Sequence, residues 1–290
     1  MLKITIPKGS LEEQTLLLFS QADMPIKKSS RQYNPVVDDP RIDKVKILRP
    51  QEIPTYVAEG YFDLGISGLD CIGEAEADVI EVADMPYAKT GSGKLKMVIA
   101  VPNDSPIEKP EDIPAGSRVS AEFPKTTEKF FKKLGIPVDI FFSYGATEAK
   151  VPELMDIIVD LTETGQTLKR NQLKIIGVIM ESTTKLIANK AAWADPRKRR
   201  AIEEIKTLLL GVIEARGKVL ISMNVPKDRL DEVISALPAM KRPTVNKLYD
   251  SHYLEVSTVV EKKQVNLLLP QLKVHGAEDI LELGISKILR

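Results

Sequence analysis

The chain has 290 residues, of which 43% are hydrophobic and 28% charged, and its 41 Lys and Arg balance its 41 Asp and Glu. This composition is typical of a globular protein with one large or two to three smaller domains, and it gives no reason to expect nucleic acid or a membrane as partner. A single cysteine, Cys71, excludes an intramolecular disulfide, and two histidines leave no zinc-site spacing. We expect a cytoplasmic protein, because no apolar run approaches the ~18–20 residues of a membrane span and no cleavable leader is visible.

Strand-like runs alternate with helical patterns through the first two thirds of the chain. The predicted strands cover residues 2–6, 45–48, 64–67, 79–82, 96–101, 118–121, 140–143, 157–160 and 173–179. Helices are predicted at 51–60 and 126–134, and Ser10 with Glu13 fits a capping box at the start of another. This order predicts an α/β fold.

Two crossovers divide this α/β body into two predicted lobes. The loop-like residues 86–94 precede a strand that can begin a second lobe, and residues 181–185 can return the chain to the first. We therefore assign residues 1–90 and 184–214 to lobe I and residues 91–183 to lobe II. A cleft between two lobes is where small ligands usually bind.

A long helix is predicted after residue 195. Its apolar positions Ile202, Ile205, Leu209 and Val212 keep a helical period. The basic cluster at residues 197–200 is more often a solvated helix face than a phosphate or nucleic-acid patch.

Residues 215–290 carry a different pattern, with the order βαββαβ. Alternating apolar residues at 219–225 begin it, and the last strand is predicted at 279–288. Pro270 should kink or shorten the last helix. The order describes a ferredoxin-like domain, and without an obvious catalytic constellation it suggests an interaction or regulatory module.

The most informative segment is residues 156–168. A β-branched run ends at Asp160 and is followed by a turn with hydroxyl groups and Gly165. Backbone N–H groups around Gly165, a helix start and the hydroxyls of Thr164 and Thr167 can bind a phosphate. The carboxylate beside this turn suits a ligand that also carries ribose hydroxyls or Mg²⁺. An ordinary strand-to-helix turn is the alternative.

Other candidates also follow predicted strand ends, the edge that lines the binding crevice of open α/β sheets. Lys8 and Gly9 precede a helix start, and Arg49 ends a strand, so both places suit anions. An ordinary surface lysine is an equal alternative at the first place, and a surface arginine is the more frequent case at the second. Asp70 follows a glycine-bracketed strand and can accept from an amino group or hydroxyl, and Glu148 is another carboxylate beyond a strand.

With these residues together, the chain resembles the long, regulated form of the ATP phosphoribosyltransferase family of histidine biosynthesis. The resemblance covers essentially the whole chain. The matching segments are the opening Ile-Pro-Lys-Gly and residues 49–57, 63–70, 156–168, 240–245 and 276–281. It implies a two-lobed catalytic body similar to periplasmic binding proteins, followed by an ACT-like domain. The family transfers phosphoribosyl from phosphoribosyl pyrophosphate to ATP with Mg²⁺, in dimers and hexamers.

The resemblance also implies roles for particular residues. The phosphoribosyl pyrophosphate site would comprise Asp156, Asp160, Thr162, Glu163, Thr164, Gly165, Gln166 and Thr167. The ATP site would comprise Lys8, Gly9, Arg49, Asp70 and Lys96. Asp160, Glu148 and Arg49 would be the catalytic residues, with Asp160 and Glu148 on the ribose hydroxyls. The family commonly has a small residue in place of Glu163 and often Arg in place of Ser10.

For the C-terminal domain the resemblance implies a histidine site for feedback inhibition. Ser222, Met240, Thr244 and Ala277 are its candidates, although Met240 and Ala277 equally suit the core and Thr244 an ordinary strand position. Two other classes compete with the transferase: a sensor that binds a small molecule without catalysis, and an inactive relative that serves as a partner subunit. A secretion signal or a DNA-binding helix pair would favour a sensor, and neither is visible.

Overall fold

A computed structural model of the chain describes residues 1–29, 34–87, 93–238 and 242–289. The chain divides into two compact units, Met1–Lys206 and Thr207–Arg290, and the division falls within the helix Pro196–Ala215. In the described ranges, no helix combines the length and apolar character needed to cross a membrane.

The first unit has the predicted α/β alternation. Its described strands are β1 (Leu2–Pro7), β2 (Ile26–Lys27), β3 (Val36–Val37), β4 (Ile42–Leu48), β5 (Leu64–Gly68), β6 (Ile80–Asp84), β7 (Lys94–Pro102), β8 (Ser117–Ala121), β9 (Val138–Phe142), β10 (Ile157–Thr162) and β11 (Leu173–Ala188). Its described helices are α1 (Glu12–Gln21), α2 (Ile53–Ala58), α3 (Leu69–Ala75), α4 (Pro124–Leu134), α5 (Gln166–Arg170), α6 (Lys190–Ala194) and the start of α7 (Pro196–Ala215).

One mixed sheet runs through this unit. Over the described residues it has nine strands in the order β4-β1-β5-β11-β7-β10-β8-β9, with β6 also on β11. The long strand β11 joins its two halves, because residues 173–183 pair with β7 whereas residues 184–188 pair with β5 and β6. The predicted return to the first lobe is therefore a continuous strand, and the predicted α/β body has two sheet halves joined by it.

The central strands are buried on both faces. In β7, Met97 and Ile99 pack in a core with Phe131 from α4, whereas Val98 and Ala100 contact a second cluster that contains Leu168 from α5. Successive side chains of a strand point to opposite faces, so these strands need a nearly continuous apolar run. This packing holds α5 and the turn before it against the sheet.

The predicted capping box is wrong. Helix α1 begins at Glu12 with Leu11 as its N-cap residue, and no side chain caps it. The chain leaves β1 through Gly9, whose φ of +92° is in the left-handed region. Because that turn delays the helix start, Ser10 does not occupy the capping position. Helix α2 is also shorter than its predicted span of 51–60.

The second unit contains the end of α7 and the predicted ferredoxin-like motif. The described elements are β12 (Lys218–Pro226), α8 (Leu230–Ala236), β13 (Thr244–Lys247), β14 (Tyr253–Glu261), α9 (Lys262–Val274) and β15 (Glu278–Gly284). The sheet order β13-β14-β12-β15 confirms the fold.

Two details of this unit differ from the sequence analysis. Helix α9 runs through Pro270 without being shortened by it, because Val265, Leu268 and Leu272 bury one helical face in the core and offset the lost backbone hydrogen bond. The last strand ends at Gly284, four residues before the predicted end at 288.

Candidate functional site

The predicted phosphate turn lies between β10 and α5. Gly165 has a φ of +71°, and its N–H donates to the Thr162 hydroxyl at 2.8 Å, which closes the turn. Thr164, Gln166 and Thr167 are exposed, while Leu168 is buried and anchors α5. Since the first N–H groups of a helix have no intrahelical acceptor, this turn presents donors to an anion.

Asp160 lies just before this turn, among other carboxylates. Its Oδ1 accepts from the N–H of Leu161 at 2.7 Å. Burial raises the pKa of the Asp160 carboxyl to about 6; the Leu161 hydrogen bond opposes this shift, and the nearby charges of Glu122 and Glu148 add to it. The structure therefore brings together the predicted residues Asp160 and Glu148, and it adds Glu122.

Two further charged residues, Glu122 and Lys150, were not predicted from the sequence. Glu122 follows β8, the parallel neighbour of β10, so it emerges at the same sheet edge as Asp160. Burial raises the pKa of the Glu122 carboxyl and Glu148 adds to that, whereas the charge of Lys150 lowers it. Because β10 pairs with β8 only in the folded sheet, sequence order alone gives no signal for this neighbour.

Lys150 links the acidic residues to a buried hydroxyl network. Its ammonium donates to the Ser143 hydroxyl and, at 3.3 Å, to that of Ser120. Ser143 is 2.8 Å from the hydroxyl of Thr147, in the short 3-10 helix Thr147–Lys150 that also carries Glu148. Lys150 thus fixes this segment and places one positive charge among three carboxylates.

The predicted residues Lys8, Gly9 and Arg49 are also brought together. Strands β1 and β4 are parallel neighbours, and the N–H of Lys8 donates to the Leu48 carbonyl at 2.7 Å. The side chain of Arg49 is exposed and has no ion pair with any residue in the described ranges. Two cationic side chains therefore follow adjacent strand ends, as an anion site requires.

Lys96 connects the phosphate turn to the centre of the sheet. It lies directly opposite Thr162 in the antiparallel pair of β7 and β10. On its other side it faces Glu181 of β11 at 3.8 Å, with both side chains largely exposed. Such an exposed ion pair contributes little to stability, so Lys96 can exchange Glu181 for a ligand phosphate.

Asp70 is buried in the first turn of α3, where Ser182 of β11 holds it. The Ser182 hydroxyl donates to Asp70 Oδ1 and accepts from the Asp70 N–H at 3.1 Å. Asp70 and Glu163 both line one cavity. Glu163, at the position where the resembled family commonly has a small residue, therefore lines a cavity.

Asp156 is not brought to the phosphate turn. It precedes β10 at the end remote from Asp160, four residues or about 13 Å along the strand. Arg118 holds its carboxylate at 2.7 Å, and the hydrogen bond from Arg118 lowers the pKa of Asp156. The position indicates a structural ion pair at the far end of the sheet.

Two of the predicted histidine-site residues lie in one row of the second unit. Ser257 of β14 pairs with both Ser222 of β12 and Thr244 of β13, so the three side chains share a sheet face. The Ser222 hydroxyl donates to Glu255 at 2.9 Å. Ala277 is instead in the hydrophobic core, and Met240 lies outside the described residues.

Comparison with known proteins gives the family. A family profile described as ATP phosphoribosyltransferase matches residues 49–211, and one described as the HisG C-terminal domain matches residues 215–287. The ATP phosphoribosyltransferase of Pelotomaculum thermopropionicum is 48% identical over 288 residues, 99% of each chain. That of Desulforudis audaxviator is 46% identical with the same coverage.

A solved structure agrees with these matches. It is the ATP phosphoribosyl transferase (HisG:HisZ) complex from Thermotoga maritima, with a TM-score of 0.63 and 30% identity over 74% of this chain and 99% of that chain. Fold and site thus define a two-lobed α/β transferase with a C-terminal ferredoxin-like domain. The chain belongs to the ATP phosphoribosyltransferase family.

Proposed function

We propose that the protein transfers the phosphoribosyl group of phosphoribosyl pyrophosphate to N1 of ATP and releases pyrophosphate, the first step of histidine biosynthesis. The observation that supports this most directly is the closed phosphate turn beside Asp160, in a member of this family. A phosphate cradle next to carboxylates suits a sugar phosphate, because the carboxylates accept from hydroxyls that a bare phosphate lacks.

The turn would bind the 5′-phosphate of phosphoribosyl pyrophosphate. Asp160 and Glu148 would accept hydrogen bonds from the ribose hydroxyls, and Glu122 adds a third carboxylate beside them. As the bond from C1′ to pyrophosphate breaks, the ribose gains oxocarbenium character, and fixed negative charge next to it lowers the barrier. Adenine N1 has a free lone pair, so no strong general base is required.

The cationic residues would hold the phosphate groups. Lys96 lies beside the turn and suits the leaving pyrophosphate, while Lys8 and Arg49 suit the phosphates of ATP. Positioning two highly charged substrates supplies most of the catalysis. Asp70, in the cavity, would contact the nucleotide.

Mg²⁺ is proposed as an ion that the substrates carry. Among the described residues, no three Asp, Glu, His or Cys side chains converge to hold a metal ion. The carboxylates near the turn therefore fit a Mg²⁺ ion that is bound mainly through substrate phosphates and water, which is its usual arrangement in phosphate-handling sites. When bound, Mg²⁺ would neutralise charge on the leaving pyrophosphate.

A pyrophosphate-release assay tests the transfer. Release should require ATP, phosphoribosyl pyrophosphate and Mg²⁺ together, and each omission should abolish it. No release from the complete mixture across pH 6–9 would refute the proposal.

We also propose that the protein forms a homo-oligomer, dimeric or hexameric, and that histidine inhibits it through the second unit. The row of Ser222, Ser257 and Thr244 offers hydroxyls on one sheet face, which can bind the amino and carboxylate groups of an amino acid. Histidine added to the same assay should lower pyrophosphate release. An unchanged rate at saturating histidine would leave this unit without the proposed regulatory role.

A further inference from the structure

A cavity of about 220 Å³ lies beside the phosphate turn. Leu11, Tyr87 and Leu95 supply apolar walls, and Asp70, Glu163 and Ser182 supply polar groups. Pockets that enclose a whole drug-sized ligand measure about 300–1,000 Å³, so this cavity suits a single planar ring system with polar edges. A purine base has that shape and chemistry.

Strand register explains how these residues line one cavity. Thr162 lies opposite Lys96, so the next position, Glu163, is beside Leu95, and Leu95 lies opposite Ser182. Glu163, just past the end of β10, therefore lines the cavity together with Leu95 of β7 and Ser182 of β11, and Ser182 in turn holds Asp70.

The position of Glu163 restricts what it can contact. A carboxylate repels the phosphates of both substrates, and the proposed function assigns the hydroxyls of the transferred ribose to Asp160 and Glu148. Of the hydrogen-bond donors on the two substrates, the one that remains near the reacting atoms is the 6-amino group of adenine. That group is adjacent to N1, which must reach the ribose held at the same turn.

Resting on the proposed function, we propose that this cavity binds the 6-aminopurine base of ATP and that Glu163 accepts a hydrogen bond from its 6-amino group. Glu163 then distinguishes amino from oxo purines. A 6-oxo group would place an acceptor against the carboxylate, which leaves both unpaired and costs binding.

The arrangement also suits the electron flow of the transfer. The N1 lone pair forms the bond to C1′ while the electron pair of the C1′–O bond leaves with pyrophosphate. In such a displacement the base and the leaving group lie on opposite sides of C1′. The positive charge that develops over N1, C6 and the amino nitrogen is then adjacent to the Glu163 carboxylate.

Equilibrium binding by calorimetry tests this assignment. ATP and inosine triphosphate, which carries oxygen at position 6, are titrated into the full-length protein without phosphoribosyl pyrophosphate. The wild type should bind ATP about 10-fold to 100-fold more tightly, the range of one charge-assisted hydrogen bond. Glu163→Ala should reduce this ratio to about twofold, and Glu163→Gln, whose amide can donate to oxygen, should shift it further towards inosine triphosphate.

Glu111→Ala is the matched control, because it removes an exposed carboxylate from a short 3-10 helix outside the cavity. It should keep the wild-type ratio. An unchanged ratio in both Glu163 variants, or a wild type that does not distinguish the nucleotides, would overturn the proposal. Pyrophosphate release is measured separately, so a protein that fails that assay but loses discrimination in Glu163→Ala contradicts the proposed function and still supports the role of Glu163.

Discussion

At the scale of single residues, Asp160 is held in an environment that opposes its charge. Burial and two neighbouring carboxylates raise its pKa to about 6, although a substrate with hydroxyls and a developing positive charge needs the ionised form. Binding such a substrate relieves the repulsion. The protein thus keeps a locally unfavourable charge where its reaction uses it.

Asp160→Asn should therefore change activity and stability in opposite directions. The pKa of Asp160 is higher in the folded protein than in the unfolded chain. Ionisation of this carboxyl therefore lowers the free energy of unfolding as pH rises through about 4 to 6, and the loss is complete above pH 6. At pH 8 the variant should unfold with a free energy higher by about 1–2 kcal/mol after allowance for solvent screening, and near pH 4 it should match the wild type. Denaturant unfolding at both pH values checks this, and turnover should fall at least about tenfold. A variant that is equally active, or less stable at pH 8, would contradict the assigned role.

Lys150 should control the pH at which these carboxylates ionise. Lys150→Met removes the positive charge that lowers the pKa of Asp160 and Glu122, so both should ionise only at higher pH. The acidic limb of the kcat/KM profile should move upwards by about one pH unit. Lys150→Arg keeps the charge and should retain the wild-type limb; identical profiles for Met and Arg would show that Lys150 acts only through packing.

Residue identity was the easier part of the site to predict. Lys8 and Arg49 each follow a strand, and Asp160 ends a predicted one, a pattern that is visible in the sequence. Glu122 was missed because its relation to Asp160 depends on the pairing of β8 with β10. The resemblance to the family placed Asp156 in the phosphoribosyl pyrophosphate site, whereas in the structure it lies at the other end of β10 from Asp160.

At the scale of elements, the junction between β5 and α3 depends on a glycine. A Cβ on Gly68 would lie 2.2 Å from Asp70 Oδ1, the oxygen that the Ser182 hydroxyl contacts. The φ of Gly68 is −76°, which any residue adopts. The glycine is therefore required for space around Asp70 rather than for backbone freedom.

Gly68→Ala should weaken ATP binding by displacing Asp70. We expect a KM for ATP about tenfold higher, the effect of losing one hydrogen bond to a charged group, with little change in kcat. Gly73→Ala, in the same helix, is the control because its Cβ would meet nothing within 4 Å. Steady-state kinetics at varied ATP concentration give the KM of each variant. Equal KM values in the two variants would exclude this role for Asp70.

The strands and helices were predicted better than their ends. Apolar runs identify β7 and β10 because both faces are buried, and alternation identifies β12. Two predictions about helix ends were wrong. The capping box failed because the left-handed Gly9 delays the start of α1, and α9 continues through Pro270 because its buried face stabilises the helix.

At the scale of the molecule, each unit has its own core and its own set of candidate ligand groups. The first unit carries carboxylates, cations and the cavity beside the phosphate turn on a two-halved sheet, and the second presents a hydroxyl row on a four-stranded sheet. The order of elements predicted both folds. The pairing of β11 with both halves of the sheet required the structure, because strand pairing depends on contacts distant in sequence.

The identity of the product tests the central proposal most directly. The protein is incubated with ATP, phosphoribosyl pyrophosphate and Mg²⁺, and the nucleotide product is isolated and examined by mass spectrometry and NMR. We predict one pyrophosphate released per molecule of an adduct whose ribose C1′ is bonded to adenine N1. Pyrophosphate accompanied only by free ribose 5-phosphate, or an adduct joined through another atom of ATP, would contradict it.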